Sequence, residues 1–349
     1  MAFRGGDSFD YYSTSQLTAR YTNVVFVSGG TTVTIDSNGR FGQGLKIVGG
    51  FLANTYVLQV YDNQSTWIVG FALNLSQIPT ASLQIAGMMD GATKQVELAV
   101  NSSGNLVISR NGTVLGTSTN ILTAPGFNYI EWKMTISSSI SAHTCKARVN
   151  SVDWIDLAAT TNTKNSSNAT ANGILLGDTF GNTTHANAIY DDHYVLDGTG
   201  SNNNDFWGDI KALANYSTAN GNYTSFSFTG AGSAHAAVSE NPPDGDTSYV
   251  FSSSVNSRES FTFPAPSDTL LAAFAAQTIL YAKKQGSGSR SIIASLRSGS
   301  TDYDGSNVDA LSTSYVYYVE ARDENPATSA AWTTTDFNAG MELGIKIQS

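Results

Sequence analysis

Ala188-Ile-Tyr-Asp-Asp-His-Tyr-Val-Leu-Asp197 reads as a strand, with apolar and aromatic residues arranged about two adjacent aspartates. Directly after it comes Thr199-Gly-Ser-Asn-Asn-Asn-Asp-Phe-Trp-Gly-Asp-Ile210, whose Gly and Asn residues mark a link. Further on, Glu240-Asn-Pro-Pro-Asp-Gly-Asp-Thr-Ser-Tyr-Val250 is a turn cluster leading into another alternating strand. A strand, a polar link and a second β-rich stretch divide the chain in two. The fold class predicted is all-β, two jelly-roll-like β-sandwiches in series, over residues 1–200 and 206–349.

The first half supports this. Thr31-Thr-Val-Thr-Ile35, Gly44-Leu-Lys-Ile-Val48 and Thr55-Tyr-Val-Leu-Gln-Val-Tyr61 alternate, and turn residues separate them. Ser65-Thr-Trp-Ile-Val-Gly-Phe-Ala-Leu73 is almost continuously apolar, which predicts a central strand covered on both faces. Leu83–Gly87, Gln95–Val100 and Leu106–Arg110 follow, with Asn101-Ser-Ser-Gly-Asn105 as a hairpin. Asn111-Gly112 is a second hairpin signal, since both residues tolerate positive φ. Asn128–Ile136 and Thr144–Asn150 read as an antiparallel pair.

The second half repeats the idiom in Tyr223–Phe228, Ser248–Phe251, Glu259–Phe263, Ser314–Glu320 and Met341–Ile347. Asp268–Leu280 is rich in helix formers. Thr278–Lys284 and Ser291–Arg297, around a Gly-Ser turn, nevertheless predict a hairpin, with strand from about residue 275.

Composition narrows the function. The chain has 349 residues, 13% of them charged, and a net charge of −10, and both halves are acidic. Phosphate neutralisation requires clustered Lys and Arg, so neither nucleic acid nor an anionic membrane is an expected partner. The single cysteine, Cys145, excludes an intramolecular disulfide and sits in an alternating run as a small buried hydrophobe. No signal peptide and no apolar run long enough for a spanning helix are seen.

In order, Trp67-Ile-Val-Gly-Phe71, Val107-Ile-Ser-Arg-Asn-Gly112, Tyr129-Ile-Glu-Trp-Lys133, Ala147-Arg-Val-Asn150 and Tyr190-Asp-Asp-His-Tyr-Val195 carry a resemblance. They are similar to the strands of concanavalin A-like (lectin/glucanase, laminin-G type) sandwiches that begin some virion structural proteins of tailed bacteriophages. Asp205–Lys211, Pro242–Tyr249, Glu324–Thr334 and Asn338–Lys346 resemble later segments of the same group. The resemblance implies a non-enzymatic structural component displayed on the particle, as a tail fibre, adhesin or capsid decoration protein. It implies assembly in the host cytoplasm, placement in the virion, and other virion proteins and further copies of this chain as partners. Separately, the Gly-rich polar character of Met1–Ser8 suggests a tract that threads onto a neighbour. A carbohydrate-binding module for host-surface glycans is the alternative, and a glycoside hydrolase the third reading.

Few residues suggest chemistry. Asp191 and Asp192 are the candidate Ca²⁺ ligands, and structural calcium is the only cofactor considered. Adjacent strand residues face opposite sides, however, so sharing one ion would require a bulge. In the competing reading one aspartate caps loop amides and the other is solvated. Asp244-Gly-Asp246 is a turn rather than a calcium loop. His143, His185, His193 and His235 have no metal spacing. Glu97 and Glu131 stand singly in strands that look half-exposed, without the closely spaced acids of a glucanase. Tyr56, Tyr61, Trp154, Trp207, Tyr303 and Trp332 are the candidate sugar-stacking rings, and Trp154, Trp207, Tyr303 and Trp332 lead that set.

Overall fold

The alternating runs of the first half all become strands. The computed structural model describes residues 2–26, 30–49, 54–139, 144–157, 161–179, 186–309, 311–338 and 341–349. The chain divides into two units, Met1–Ala212 and Leu213–Ser349. The stretch read as a link, Thr199–Ile210, therefore belongs to the first unit, and its hydrogen bonds explain why (below).

In chain order the first unit has β1 (Phe3–Asp7), β2 (Asn23–Val25), β3 (Thr32–Asp36), β4 (Gly44–Val48), β5 (Thr55–Gln64), β6 (Thr66–Leu75), β7 (Leu83–Asp90) and β8 (Thr93–Val100). Then come β9 (Asn105–Arg110), β10 (Thr113–Ile121), β11 (Phe127–Thr135), β12 (Cys145–Val149), β13 (Val152–Asp156), β14 (Ala171–Asp178) and β15 (Asn187–Asp197). The first sheet has the order β13-β12-β11-β6-β15-β4-β3, with β1 also paired to β15. The second has the order β10-β9-β8-β7-β14-β5-β2. Every pairing is antiparallel, and the two sheets form a β-sandwich. Asn111 and Gly112, both at positive φ, make the tight turn of the β9–β10 hairpin.

The core follows from the period of two. Trp67, Val69, Phe71 and Leu73 alternate along β6 toward the second sheet, beside Trp132 of β11 and Tyr190 of β15, and all are fully or almost fully buried. Trp67 Nε1 donates to Ala171 O at 3.0 Å and Tyr190 Oη to Ile85 O at 2.9 Å, so two large side chains also tie the sheets polar group to polar group. Cys145 is buried among these strands.

At the end of β1 the chain turns inward on Asp7. Its carboxylate accepts Phe9 N–H at 2.8 Å and the Tyr12 and Tyr21 hydroxyls at 3.0 Å each, and Arg20 Nε lies 3.1 Å away. The described part of the N-terminal tract is thus held within its own unit. Phe3–Asp7 pairs with β15 of its own chain, on the edge that β4 leaves open beyond Tyr190, while β6 pairs the other edge.

The second unit contains β16 (Ala219–Thr224), β17 (Ser227–Thr229), β18 (Tyr249–Phe251), β19 (Arg258–Thr262), β20 (Ala276–Ala282), β21 (Ile292–Ser298), β22 (Thr301–Val308), β23 (Val316–Arg322) and β24 (Glu342–Ile347). One five-stranded sheet runs β16-β19-β24-β21-β22, and β17–β18 and β20–β23 form two-stranded ribbons. Strand does begin near residue 275, but the expected hairpin is corrected: β20 pairs with β23, and β21 lies between β24 and β22. The buried start of β21, Ile292 to Leu296, requires a neighbour on each side, which the half-exposed β20 could not supply on both. Asp244–Asp246 is a turn, with Gly245 at φ 71° and Ser248 N–H bonded to Asp244. Among the described residues, ten apolar side chains of this unit are buried, against fifty in the first.

Candidate functional site

Two polar constellations lie on the outer faces of the sandwich. The first is built on β11 and β15. Tyr129, Glu131 and Lys133 alternate onto the outer face of the first sheet, beside Tyr194. Between Asp191 and Tyr194 the register slips, and Asp192 sits at φ 49° in a β-bulge. The bulge turns the Asp192 carboxylate toward the residues that follow β15.

Residues 199–212 close over this face as a strap. Glu131 Oε1 accepts the Tyr194 hydroxyl at 2.6 Å and Gly208 N–H at 2.7 Å, and Trp207 N–H donates to Tyr194 Oη at 3.2 Å. The Trp207 ring packs on Tyr194 at 4.6 Å and on Phe3 at 5.3 Å. Asp192 Oδ1 accepts Ala212 N–H at 2.8 Å, and Arg40 grips Asp209 through both terminal nitrogens at 2.6 and 2.9 Å. Lys133 reaches Asp205 at 3.1 Å. Strap backbone and side chains are thus held by groups from β1, the β3–β4 loop, β11 and β15.

Asp191 points the other way. Its carboxylate accepts Arg40 N–H at 2.6 Å, Phe41 N–H at 3.1 Å and its neighbour Asp192 N–H at 2.8 Å. One aspartate therefore caps a loop, but the second is 1% exposed rather than solvated. Glu97 and Glu131, expected half-exposed, are also buried. Asp191 and Asp192 do not fit a Ca²⁺ ion: N–H donors and the Arg40 guanidinium already face their oxygens, where a cation site needs converging acceptors. Among the described residues no group of three or more His, Cys, Asp or Glu converges on a metal position. His143 and His185 lie outside the described residues.

Burial first, and the charge of Asp191 second, push the Asp192 carboxyl up to about 7. An unfolded aspartate titrates near ~3.9, so from about pH 4 to 7 the folded chain keeps a proton that the unfolded chain has released. This contribution to stability is complete below that window and is lost as the pH rises through 7. Burial shifts Asp10, Glu131 and Asp191 upward as well. His193, pushed down to about 4 by burial, acts oppositely and weakens the fold as the pH falls below about 6.5. Asp192→Asn isolates one group. Its stability relative to the native chain, measured by urea unfolding, should improve by on the order of 1–3 kcal/mol between pH 5 and pH 8. A difference that does not change with pH would refute the assignment.

The second constellation lies on the outer face of the second sheet. Lys94 Nζ donates to Gln84 Oε1 at 2.6 Å and to Thr179 Oγ1 at 2.9 Å, the Thr179 hydroxyl also donates to Gln84 Oε1 at 2.8 Å, and Lys94 pairs with Glu97. An ammonium only donates, which fixes the Gln84 amide with its oxygen toward Lys94. Gln84 Nε2 then lies over Gly87, where a Cβ would come within 3.0 Å, and it has no hydrogen-bond partner among the described residues. Gln84 and Glu97 are 1% and 6% exposed, although they face away from the core. Thr55, Gln84, Asp178 and Tyr190 also line a recess beside this cluster.

Of the residues singled out from sequence, Asp192 and Trp207 come together at the strap, and Asp191 turns away to the Arg40–Phe41 loop. Trp154 is half-buried on the edge strand β13, and Tyr56 and Tyr61 are half-buried on β5. Tyr303 is half-buried on β22, and Trp332 is only 4% exposed, its indole N–H bonded to Arg322 O at 2.9 Å. Trp332 is therefore a core residue and not a stacking platform. Sequence reasoning missed Arg40, Tyr194, Gln84 and Lys94. The signal available was period two: Tyr129, Glu131 and Lys133 are polar at alternate positions of an apolar strand, and Gln84 interrupts one.

No family model and no curated protein matches the chain. Solved structures do. A sialidase matches with a TM-score of 0.42 and 14% identity, over 56% of this chain and 18% of the sialidase. The alginate lyase Aly36B matches with a TM-score of 0.38 and 12% identity, over 56% of this chain and 95% of that one. A Trypanosoma rangeli sialidase mutant displaying trans-sialidase activity matches with a TM-score of 0.35 and 9% identity, over 50% and 30%. At these values the likeness is one of all-β fold and transfers no activity. It does correct two expectations. The neighbours named here are sialidases and an alginate lyase, with no virion protein among them, so the readings as a non-enzymatic virion component and as no enzyme are not kept.

Proposed function

We propose that the first unit binds a glycan on the outer face of its second sheet, at Gln84, Lys94, Glu97 and Thr179. The observation that supports this reading is the buried, unpartnered Gln84 Nε2 above Gly87, beside a Lys–Glu ion pair that the core does not use. Burying an ion pair and an idle amide donor is unfavourable, so their presence on an outward face calls for a compensating partner. Sugar hydroxyls both donate and accept, which matches an amide N–H, an ammonium, a carboxylate and a hydroxyl held within one cluster.

The test is affinity electrophoresis and calorimetry of the full chain against a panel of neutral and acidic polysaccharides, with reducing ends and 235 nm absorbance followed in parallel for turnover. Lys94→Met should weaken binding by roughly 10-fold or more, the loss expected for one charged hydrogen bond. Gln84→Leu should weaken binding as well, and at a cost to folding that urea unfolding measures separately, since Lys94 Nζ and Thr179 Oγ1 both lose the Oε1 acceptor. Retention of no glycan by the native chain, or equal affinity in both variants, would sink the reading.

A further inference from the structure

We infer that the second unit binds the carboxylate group of a ligand at Arg322. This rests on the second unit alone and stands whether or not the first unit binds glycan.

Arg322 is the last residue of β23, and its side chain reaches from the β20–β23 ribbon to the five-stranded sheet. There Nη2 donates to Tyr303 O of β22 at 3.0 Å and lies 3.5 Å from Ala294 O of β21. Arg322 O in turn accepts the Trp332 indole N–H, so both the backbone and the tip of this residue are fixed. The residue is only 9% exposed.

The rest of the guanidinium is idle. Nε is enclosed and has no hydrogen-bond partner. Nη1 has none among the described residues either, but it is not enclosed, so it is the nitrogen open to a ligand. A guanidinium stays charged in a folded protein and can only donate, so most of its hydrogen-bonding capacity here is unspent.

No carboxylate of the unit neutralises it. Among the described residues Arg322 makes no ion pair, whereas Arg20 of the first unit, similarly enclosed, has Asp7 at 3.1 Å. Glu320 and Asp304 are the acids whose charge Arg322 feels, and both are engaged elsewhere. Glu320 accepts Ser306 N–H at 3.0 Å, and Asp304 is held by Arg258 at 2.7 Å and Lys346 at 3.2 Å. Burial accordingly holds the Arg322 guanidinium below its ordinary value. An enclosed cation without a counter-ion is strongly unfavourable, so a fixed one calls for an anion from outside.

The surroundings select which anion. A planar guanidinium matches the planar fork of a carboxylate. A phosphate dianion would meet twice the repulsion from Glu320 and Asp304 that a single negative charge meets. A neutral amide or hydroxyl would leave the buried charge as it is. The carboxylate could be carried by a sugar acid or by an amino acid, and the probes below separate the two.

The full chain is titrated with glucuronate, N-acetylglycinate, neutral glucuronamide and chloride, each to about 50 mM, which brackets millimolar affinity. Nitrogen–proton correlation spectra follow the arginine Nε–H signals, and that of Arg322 is assigned by its loss in Arg322→Lys. At least one carboxylate is expected to move this signal saturably, while glucuronamide and chloride bind 10-fold more weakly or not at all. Saturation by glucuronate alone identifies a sugar acid, by N-acetylglycinate alone an amino-acid carboxylate, and by both the carboxylate itself. Arg322→Lys keeps the charge but not the fork, and should raise the dissociation constant roughly 10-fold or more. No saturable shift with either carboxylate would overturn the inference, as would glucuronamide acting as well as glucuronate. Equal affinity in Arg322→Lys would overturn it too. The comparisons on the native chain decide the matter even if the lysine variant fails to fold, since an enclosed Nε–H signal that answers carboxylate and not amide needs no variant to be seen.

Discussion

Asp7→Ala is expected to lower the stability of the chain by about 3–5 kcal/mol, the range for stripping the counter-charge from a buried ion pair. The carboxylate is fully buried and collects four donors: Phe9 N–H, the hydroxyls of Tyr12 and Tyr21, and Arg20. Alanine leaves all four, one of them a charged guanidinium, facing a cavity too small to hydrate them well. Asp7→Asn keeps one acceptor oxygen and the volume, so it should cost distinctly less. Urea unfolding of the two variants against the native chain checks this. A loss below about 1 kcal/mol for the alanine variant would show that the cluster is hydrated and only loosely held.

Trp67→Ala is expected to cost a similar ~3–5 kcal/mol, for a different reason. The indole is fully buried at the centre of the sandwich, packs against Tyr61 at 5.4 Å and donates to Ala171 O on the opposite sheet. Its removal opens a cavity, because β6 is held on both sides by β11 and β15 and cannot collapse into the space. Trp67→Phe fills most of that volume and loses only the hydrogen bond, so it should retain well over half of the stability lost by alanine. Thermal melts should place the alanine variant about 10 °C below the native chain, at ~2–4 °C per kcal/mol for a unit of this size. Equal losses in both variants would mean that the hydrogen bond, not the packing, carries the effect.

These two residues show what was legible. The strands of the first unit could be read from period two alone, and Ser65–Leu73 announced itself as central because both of its faces are apolar. The Asn111-Gly112 turn was equally plain, since only a few residue types accept its backbone angles. Strand partners were less legible: β20 and β21 look like the arms of one hairpin, yet long-range pairing sends them to different neighbours. The strap was misread as a link because Gly and Asn residues signal irregular backbone without saying whether that backbone is tethered. Its tethers, Glu131, Asp192 and Arg40, lie far away in sequence. Asp192 was further disguised by a bulge, which no local pattern around the Asp-Asp pair distinguishes from plain strand. Burial misled in the same way: Glu97 looks half-exposed in its own strand and is covered only by what surrounds it. The Gln84–Lys94 cluster spans three strands, and nothing in any one of them announces the other two.

The pairing of β1 with β15 bears on how the protein is made. Arg4 of the first strand bonds Asp197 of β15, the last strand of the first unit, 193 residues later in the chain, at 3.1 Å. At a synthesis rate of roughly 5–20 residues per second, the first strand emerges from the ribosome about 10–40 s before its partner. During that interval Phe3 and the hydrogen-bonding edge beside it have nothing native to pair with, which is when a nascent-chain chaperone has most to protect. The ribosome must deliver nearly the whole first unit before its opening residues can settle, so folding of the sandwich starts from its middle hairpins and finishes at its beginning.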